Sequence, residues 1–132
     1  MAKHNEVGAL GEKVAGEFFE RKGFKVISRN YRKPYGEIDL VIEKSNKICF
    51  VEVKTVSWET GKDREFGVSH ETHRPEDNVH PMKIKRLLRV IEAYLVSHEI
   101  DSEWQFDIVA VYLDQKTKIA KVRHLENIIL GS

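Results

Sequence analysis

The chain has 132 residues, a length that suits one domain around one core. Apolar residues make up 41%, enough to exclude a disordered chain, and no run of about 18 apolar residues is present to cross a membrane. The formal net charge is +1, so total charge neither favours nor excludes a nucleic-acid partner, and only its distribution is informative.

The N-terminus, Met1 to Glu6, has no apolar stretch to act as a secretory signal. The lone Cys49 has no disulfide partner and reads as a small buried hydrophobe, so a reducing cytoplasm is the expected setting. From Glu6 to Lys22, Val7, Leu10, Val14 and Phe18 recur at helical spacing, and Gly23 stops the helix. Lys25 to Arg29 is a short strand candidate, and Asn30 to Gly36, with Pro34 inside it, reads as a turn-rich stretch. Glu37 to Glu43 alternates as a strand does, and Ile48 to Thr55 is a nearly continuous apolar strand. Lys44 to Lys47 joins them as a tight hairpin. Residues 57–79 show no period and are expected to form a long loop. Pro81 opens a second helix, with Met82, Ile84, Leu87, Leu88, Ile91 and Leu95 as its expected buried face. Trp104 to Leu113 is a strand and Ile119 to Val122 a short one, while Leu125 to Leu130 fits a brief helix or a strand equally. The order α-β-β-β-α-β-β predicts a single α/β domain over 1–132, a mixed sheet with helices packed on it.

The hairpin carries the chemistry. A turn centred between Ser45 and Asn46 pairs Lys44 with Lys47, Val41 with Phe50, Asp39 with Glu52 and Glu37 with Lys54. All of these share one face, whereas Ile38, Leu40 and Ile42 lie on the other opposite Val53, Val51 and Cys49, an apolar face whose burial would fix the register. Two carboxylates then face each other with Cβ atoms about 5 Å apart, a repulsion of roughly 3–4 kcal/mol at an effective dielectric of 20. A divalent cation removes that objection, since Mg²⁺ commonly takes one or two carboxylates plus water and substrate phosphate. Lys54, two residues beyond Glu52 on the same face, is placed to orient or deprotonate an attacking water or to stabilise charge on a phosphate. Glu37 would anchor its ammonium. Any one of these charges alone could be a solvated strand-end residue. The set is harder to dismiss, because Glu52 and Lys54 interrupt an apolar strand and Asp39 sits between Ile38 and Leu40.

Gly36-Glu37-Ile38-Asp39-Leu40-Val41 followed by Phe50-Val51-Glu52-Val53-Lys54 resembles the signature of the PD-(D/E)XK nuclease superfamily. More narrowly it resembles the small YraN-like family of predicted endonucleases, related to archaeal Holliday-junction resolvases. Gly8-x-x-Gly11-Glu12-x-x-Ala15 is similar to that family's first helix, and Arg29-Asn30-Tyr31-Arg32 to the segment before its hairpin. Lys83 and Tyr94 fall in its second helix and Phe106-Asp107 in its later strand. The resemblance implies a restriction-endonuclease-like sheet, Asp39 and Glu52 as metal ligands, and Lys54 as the catalytic lysine. Two positions depart from the pattern: Val56 stands where a basic residue is usual, and Gln105 where Arg precedes Phe-Asp.

Glu12 borders the apolar side of the first helix, beside Gly8, Ala15, Gly16 and Phe19, and is a third acidic candidate for the metal site. Arg29, Arg32 and Lys33 interleave with Tyr31 and Tyr35, a pattern that holds phosphate backbones and stacks on bases but also fits a solvated turn. Lys83, Lys85, Arg86 and Arg89 make the second helix basic on its polar side. His70 and His73 are spaced as zinc ligands can be, but no cysteine supports a zinc site, and Trp58 and Phe66 are candidates to pin the long loop or meet a partner. Two functions remain in view. One is a Mg²⁺- or Mn²⁺-dependent nuclease hydrolysing DNA, with branched or repair intermediates as candidate substrates and RNA left open. The other is a non-catalytic nucleic-acid-binding or scaffold domain, favoured by Val56 and Gln105. No membrane partner is expected. Junction-cutting relatives act as dimers, which raises a homodimer without fixing it.

Overall fold

The computed structural model describes residues 2–58 and 81–130, with side chains for residues 6–57 and 81–130. Helix α1 (Ala2–Arg21) leads into strands β1 (Lys25–Lys33), β2 (Gly36–Lys44) and β3 (Lys47–Trp58). Helix α2 (Pro81–Ser97) and strands β4 (Trp104–Asp114) and β5 (Ile119–Leu125) follow. The strands form one five-stranded sheet in sequence order, antiparallel except for the parallel β3–β4 pair. Parallel neighbours need a crossover connection, and α2 lies within it. The fold is therefore the expected α/β arrangement, a mixed sheet flanked by two helices. Among the described residues no helix is long and apolar enough to cross a membrane.

Local chemistry fixes the joints. Gly23 takes φ +91° after α1, so its N–H reaches the Glu20 carbonyl and the Phe24 N–H the Phe19 carbonyl, both at 3.0 Å. That is a Schellman closure, and its usual apolar contact is present as Phe24 against Phe19, ring centroids 5.5 Å apart. In the β2–β3 turn Ser45 and Asn46 have φ of 53° and 64°, the two positive values that a two-residue type I′ hairpin requires.

Both faces of the central strands are buried. On one face Leu40, Ile42, Cys49, Val51, Val109 and Val111 pack with Ala15 and Phe19 of α1. On the other, Val41, Ile48, Phe50, Phe106 and Ile108 pack with Leu87, Val90, Ile91 and Tyr94 of α2. Burial first, then the negative charge of Asp107, pushes the Cys49 thiol up to about 12, so it stays protonated and behaves as a small hydrophobe.

Several boundaries differ from the sequence reading. β1 continues to Lys33, so most of the expected turn is strand. Tyr31 has a place against Tyr94, centroids 4.9 Å apart, and Asn30 absorbs the bend at φ 52°. The buried face of α2 is Leu87, Val90, Ile91 and Tyr94, whereas Met82 is 52% exposed. β5 extends to Leu125, and 126–130 form no regular element, although the Ile128 N–H reaches the Phe106 carbonyl at 2.7 Å. Ser57 and Trp58 belong to β3. The rest of the expected loop, with Phe66, His70 and His73, lies outside the described residues.

Candidate active site

The hairpin register is the expected one from Lys44–Lys47 inward to Leu40–Val51, and there the β2–β3 ladder ends. β2 stays paired with β1 as far as Gly36, and β3 with β4 as far as Trp58, so the sheet splits between its second and third strands. Asp39 and Glu52 are the first residues past the split. They are not the directly opposed ladder pair that the sequence suggests. Asp39 Oδ2 instead accepts the Val53 N–H at 2.7 Å, a bond that stands in for the next ladder bond. The side-chain alternation breaks here too, because Ile38 packs with Val41 beneath α2 rather than with Leu40 and Ile42.

The split opens a cleft of about 640 Å³, lined by Glu37, Asp39, Glu52 and Lys54 from the strands and by Lys83, Arg86 and Leu87 from α2. The β1–β2 turn, Pro34 to Gly36, forms its lip, and Arg89 stacks on Tyr35 there, 3.9 Å from the ring centroid. Glu52 is held by two ammonium groups: Lys83 Nζ lies 2.9 Å from Oε1 and Lys54 Nζ 3.5 Å from Oε2. Burial drives the Asp39 carboxyl up to about 7. The Val53 N–H opposes that shift, while the charges of Glu12, Glu52 and Glu37 add to it in that order. Asp39 is thus a carboxylate in a negative, partly dry place that a cation would relieve.

Glu12 acts on Asp39 from α1, against the other face of the sheet, and its charge effect exceeds that of Glu52. Its approach depends on Gly11, where an added Cβ would overlap the Thr55 side chain on β3. We expect Gly11→Ala to cost about 1–3 kcal/mol by overpacking this contact. Gly8→Ala, with nothing within 4 Å of the new methyl, should be neutral or gain up to ~1 kcal/mol of helix propensity. Urea denaturation of the two variants checks the contrast. Equal stabilities would show that α1 does not press on β3 at Gly11.

Other candidates sort differently from expectation. Glu37 pairs with Arg32 at 3.0 Å rather than with Lys54, because Arg32 is its neighbour across the β1–β2 ladder. Arg29 lies across Gly16 of α1, and Lys33 sits over the Tyr31 ring at 5.4 Å. None of Arg29, Arg32 and Lys33 lines the cleft, and neither does the exposed Lys85. Lys83 does, with Arg86 one turn on. Tyr94 is a core residue whose hydroxyl meets Ser28 Oγ at 2.6 Å.

A second polar group, on the α1 face of the sheet, was not foreseen. Asp107, His124 and Glu126 have ligand atoms within 4.8 Å of one another, the one such trio among the described residues, and these donors could hold a metal ion. Asp107 is fully buried, and its oxygens accept from His124 Nε2 at 2.7 Å, Gln105 Nε2 at 2.8 Å and the Asn127 N–H at 2.9 Å. Burial raises this carboxyl, but those bonds outweigh it and hold it below its ordinary range. Gln105, a departure from the family pattern, therefore still supplies a donor to Asp107. Asp39, Glu52 and Glu12 do not close into so tight a trio. Mg²⁺ does not need one, because it keeps several waters and uses one or two carboxylates.

The chain matches the model of uncharacterised protein family UPF0102 over residues 11–111. A UPF0102 protein of Flavobacterium psychrophilum is 36% identical over 127 residues, covering 96% of each chain. One from Christiangramia forsetii is 32% identical over 127 residues, again 96% of each. One from Flavobacterium johnsoniae is 38% identical over 116 residues, 85% of each. The chain therefore belongs to the UPF0102 family, the YraN-like family that its hairpin motifs resemble.

Proposed function

We propose that the cleft is the active site of a Mg²⁺- or Mn²⁺-dependent endonuclease that hydrolyses phosphodiester bonds of DNA. The observation that carries this reading is the meeting of Asp39 with Glu52 and Lys54 where β2 and β3 part, with Asp39 pushed up to about 7 by its surroundings. Asp39 and Glu52 would hold the cation, with Glu12 as a further acidic group acting on Asp39. When bound, the cation supplies a polarised phosphoryl oxygen and an activated water. Lys54, with its ammonium beside Glu52, orients that water or stabilises the negative charge that builds on the phosphate. Arg86 and Lys83 hold the strand from the α2 side, and Arg29, Arg32 and Lys33 extend the basic surface along β1. Glu37 keeps Arg32 in place.

A second reading rests on the ion pairs of Glu52. Both of its oxygens already face an ammonium, as in a domain that binds nucleic acid with its site closed. A cleavage screen separates the two. Branched, nicked, single-stranded and duplex DNA, and RNA, are incubated with Mg²⁺, Mn²⁺ or EDTA, with Lys54→Ala as the control. We expect cleavage of at least one DNA form that needs the cation and is lost in Lys54→Ala. Binding without cleavage across all substrates would establish the second reading.

A further inference from the structure

We infer that Lys83 is an exchangeable counter-ion: it occupies Glu52 in the metal-free site, is displaced by the arriving cation, and then grips a substrate phosphate. This rests on the proposed metal-dependent reading of the cleft and assigns that cleft a specific residue from α2.

Three observations support it. The Lys83 ammonium lies 2.9 Å from Glu52 Oε1, closer than the 3.5 Å between Lys54 and Oε2. Lys83 thus holds the Glu52 oxygen that Lys54 does not. A divalent cation binding Glu52 must compete with it, since a carboxylate oxygen carrying both an ammonium and a metal would place two positive centres within a few ångströms of each other. Lys83 also has room on its solvent side. Its side chain is 44% exposed against 16% for Glu52, so it reaches in from the cleft wall on a long flexible stem. And it has somewhere to go. One helical turn on, Arg86 lines the same cleft, so an ammonium swung off Glu52 joins a second cation on the wall facing the carboxylates. Two cations opposite a bound metal make a cradle for a phosphodiester, whose non-bridging oxygens need partners on the side away from the metal.

The exchange makes Lys83 act with opposite sign on its two partners. Its charge weakens metal binding and strengthens substrate binding. A purely structural lysine would weaken both on removal.

The test is Mn²⁺ titration of the metal-free protein by calorimetry, without substrate, for wild type, Lys83→Met, Lys83→Arg and Glu52→Gln. Lys83→Met should bind Mn²⁺ about tenfold more tightly than wild type, as expected on removing one adjacent positive charge. Lys83→Arg should stay near wild type, and Glu52→Gln should lose the site. In cleavage at saturating Mn²⁺, Lys83→Met should raise KM about five- to tenfold, the weight of one charge-assisted phosphate contact, with a smaller change in kcat. Lys83→Gln provides a second neutral variant if Lys83→Met melts well below wild type. Equal or weaker Mn²⁺ binding in the neutral variants, with the site still dependent on Glu52, would overturn the exchange and leave the metal-site reading standing. No Mn²⁺ site sensitive to Glu52→Gln in wild type would overturn both.

Discussion

Glu52→Gln is expected to reduce cleavage by about 10²–10⁴-fold and to abolish tight divalent-metal binding, with the protein still folded. Glu52 is the carboxylate on which the cleft's charges converge, with Lys83 and Lys54 at its two oxygens. The amide keeps its shape but offers one neutral acceptor. It leaves two ammonium groups less well balanced, so a modest loss of stability accompanies the loss of activity. Lys54→Met should cost a similar factor in cleavage while sparing the metal, because Lys54 borders the proposed ligand Glu52 without being one. Metal titration and single-turnover cleavage on the same samples separate these roles. Cleavage by both variants at the wild-type rate, with contaminating nuclease excluded, would place the active site elsewhere.

Asp39→Asn should do the reverse to stability. Asp39 has a folded pKa of about 7 against an ordinary 3.8. Between those values the folded protein holds a proton that the unfolded chain releases. Unfolding is then favoured progressively as pH rises, and the loss is complete above about 7. The ceiling is ~4 kcal/mol, and partial exposure with salt screening brings the expected figure to ~1–2 kcal/mol. Asparagine carries no charge at any of these pH values and still accepts the Val53 N–H. In EDTA the variant should therefore match wild type near pH 4 and exceed it by ~1–2 kcal/mol near pH 8. Added Mg²⁺ or Mn²⁺ should raise the wild-type Tm by mass action and barely move that of the variant. Thermal unfolding at the two pH values, with EDTA and with metal, reads all four states. If Asp39→Asn were the less stable at pH 8 in EDTA, and both proteins melted higher with metal, Asp39 would be a structural residue.

The hairpin was legible because its signals are local. Two turn residues fix the register, period-2 alternation fixes the faces, and charges that interrupt apolar strands mark the site. What lay beyond the Leu40–Val51 pair was not legible, since a ladder extrapolated outward has no means of predicting that a carboxylate will take an amide and end it. The rotation of α2 was missed for a different reason. Its apolar residues form a stripe wider than the buried face, which keeps Leu87 and Ile91 and adds Val90 and Tyr94, the latter with its hydroxyl on Ser28. That rotation brings Lys83 to Glu52. The bond between Asp107 and His124 joins residues on neighbouring strands 17 positions apart, and no sequence spacing announces it.

On the proposed metal-dependent reading, the parting of β2 and β3 also bears on which ions the cleft would take. Asp39 rides on the β1–β2 ribbon, whose ladder shifts register between Val26 and Ser28 and skips Asp39 itself, and Glu52 and Lys54 ride on the continuously paired β3–β4 ribbon. The carboxylates are therefore carried by two ribbons that, past Leu40–Val51, are joined by the Asp39–Val53 bond rather than by a continued ladder. A small change in aperture breaks no ladder bond and strains only the bond from the Val53 N–H to Asp39 Oδ2. Mg²⁺ at about 2.1 Å and Ca²⁺ at about 2.3–2.6 Å could both be gripped, so this scaffold would select poorly by radius. Discrimination would fall to the ion's own demands: Mg²⁺ insists on near-octahedral geometry and retains its waters, whereas Ca²⁺ tolerates a looser shell and holds a reacting phosphate less strictly.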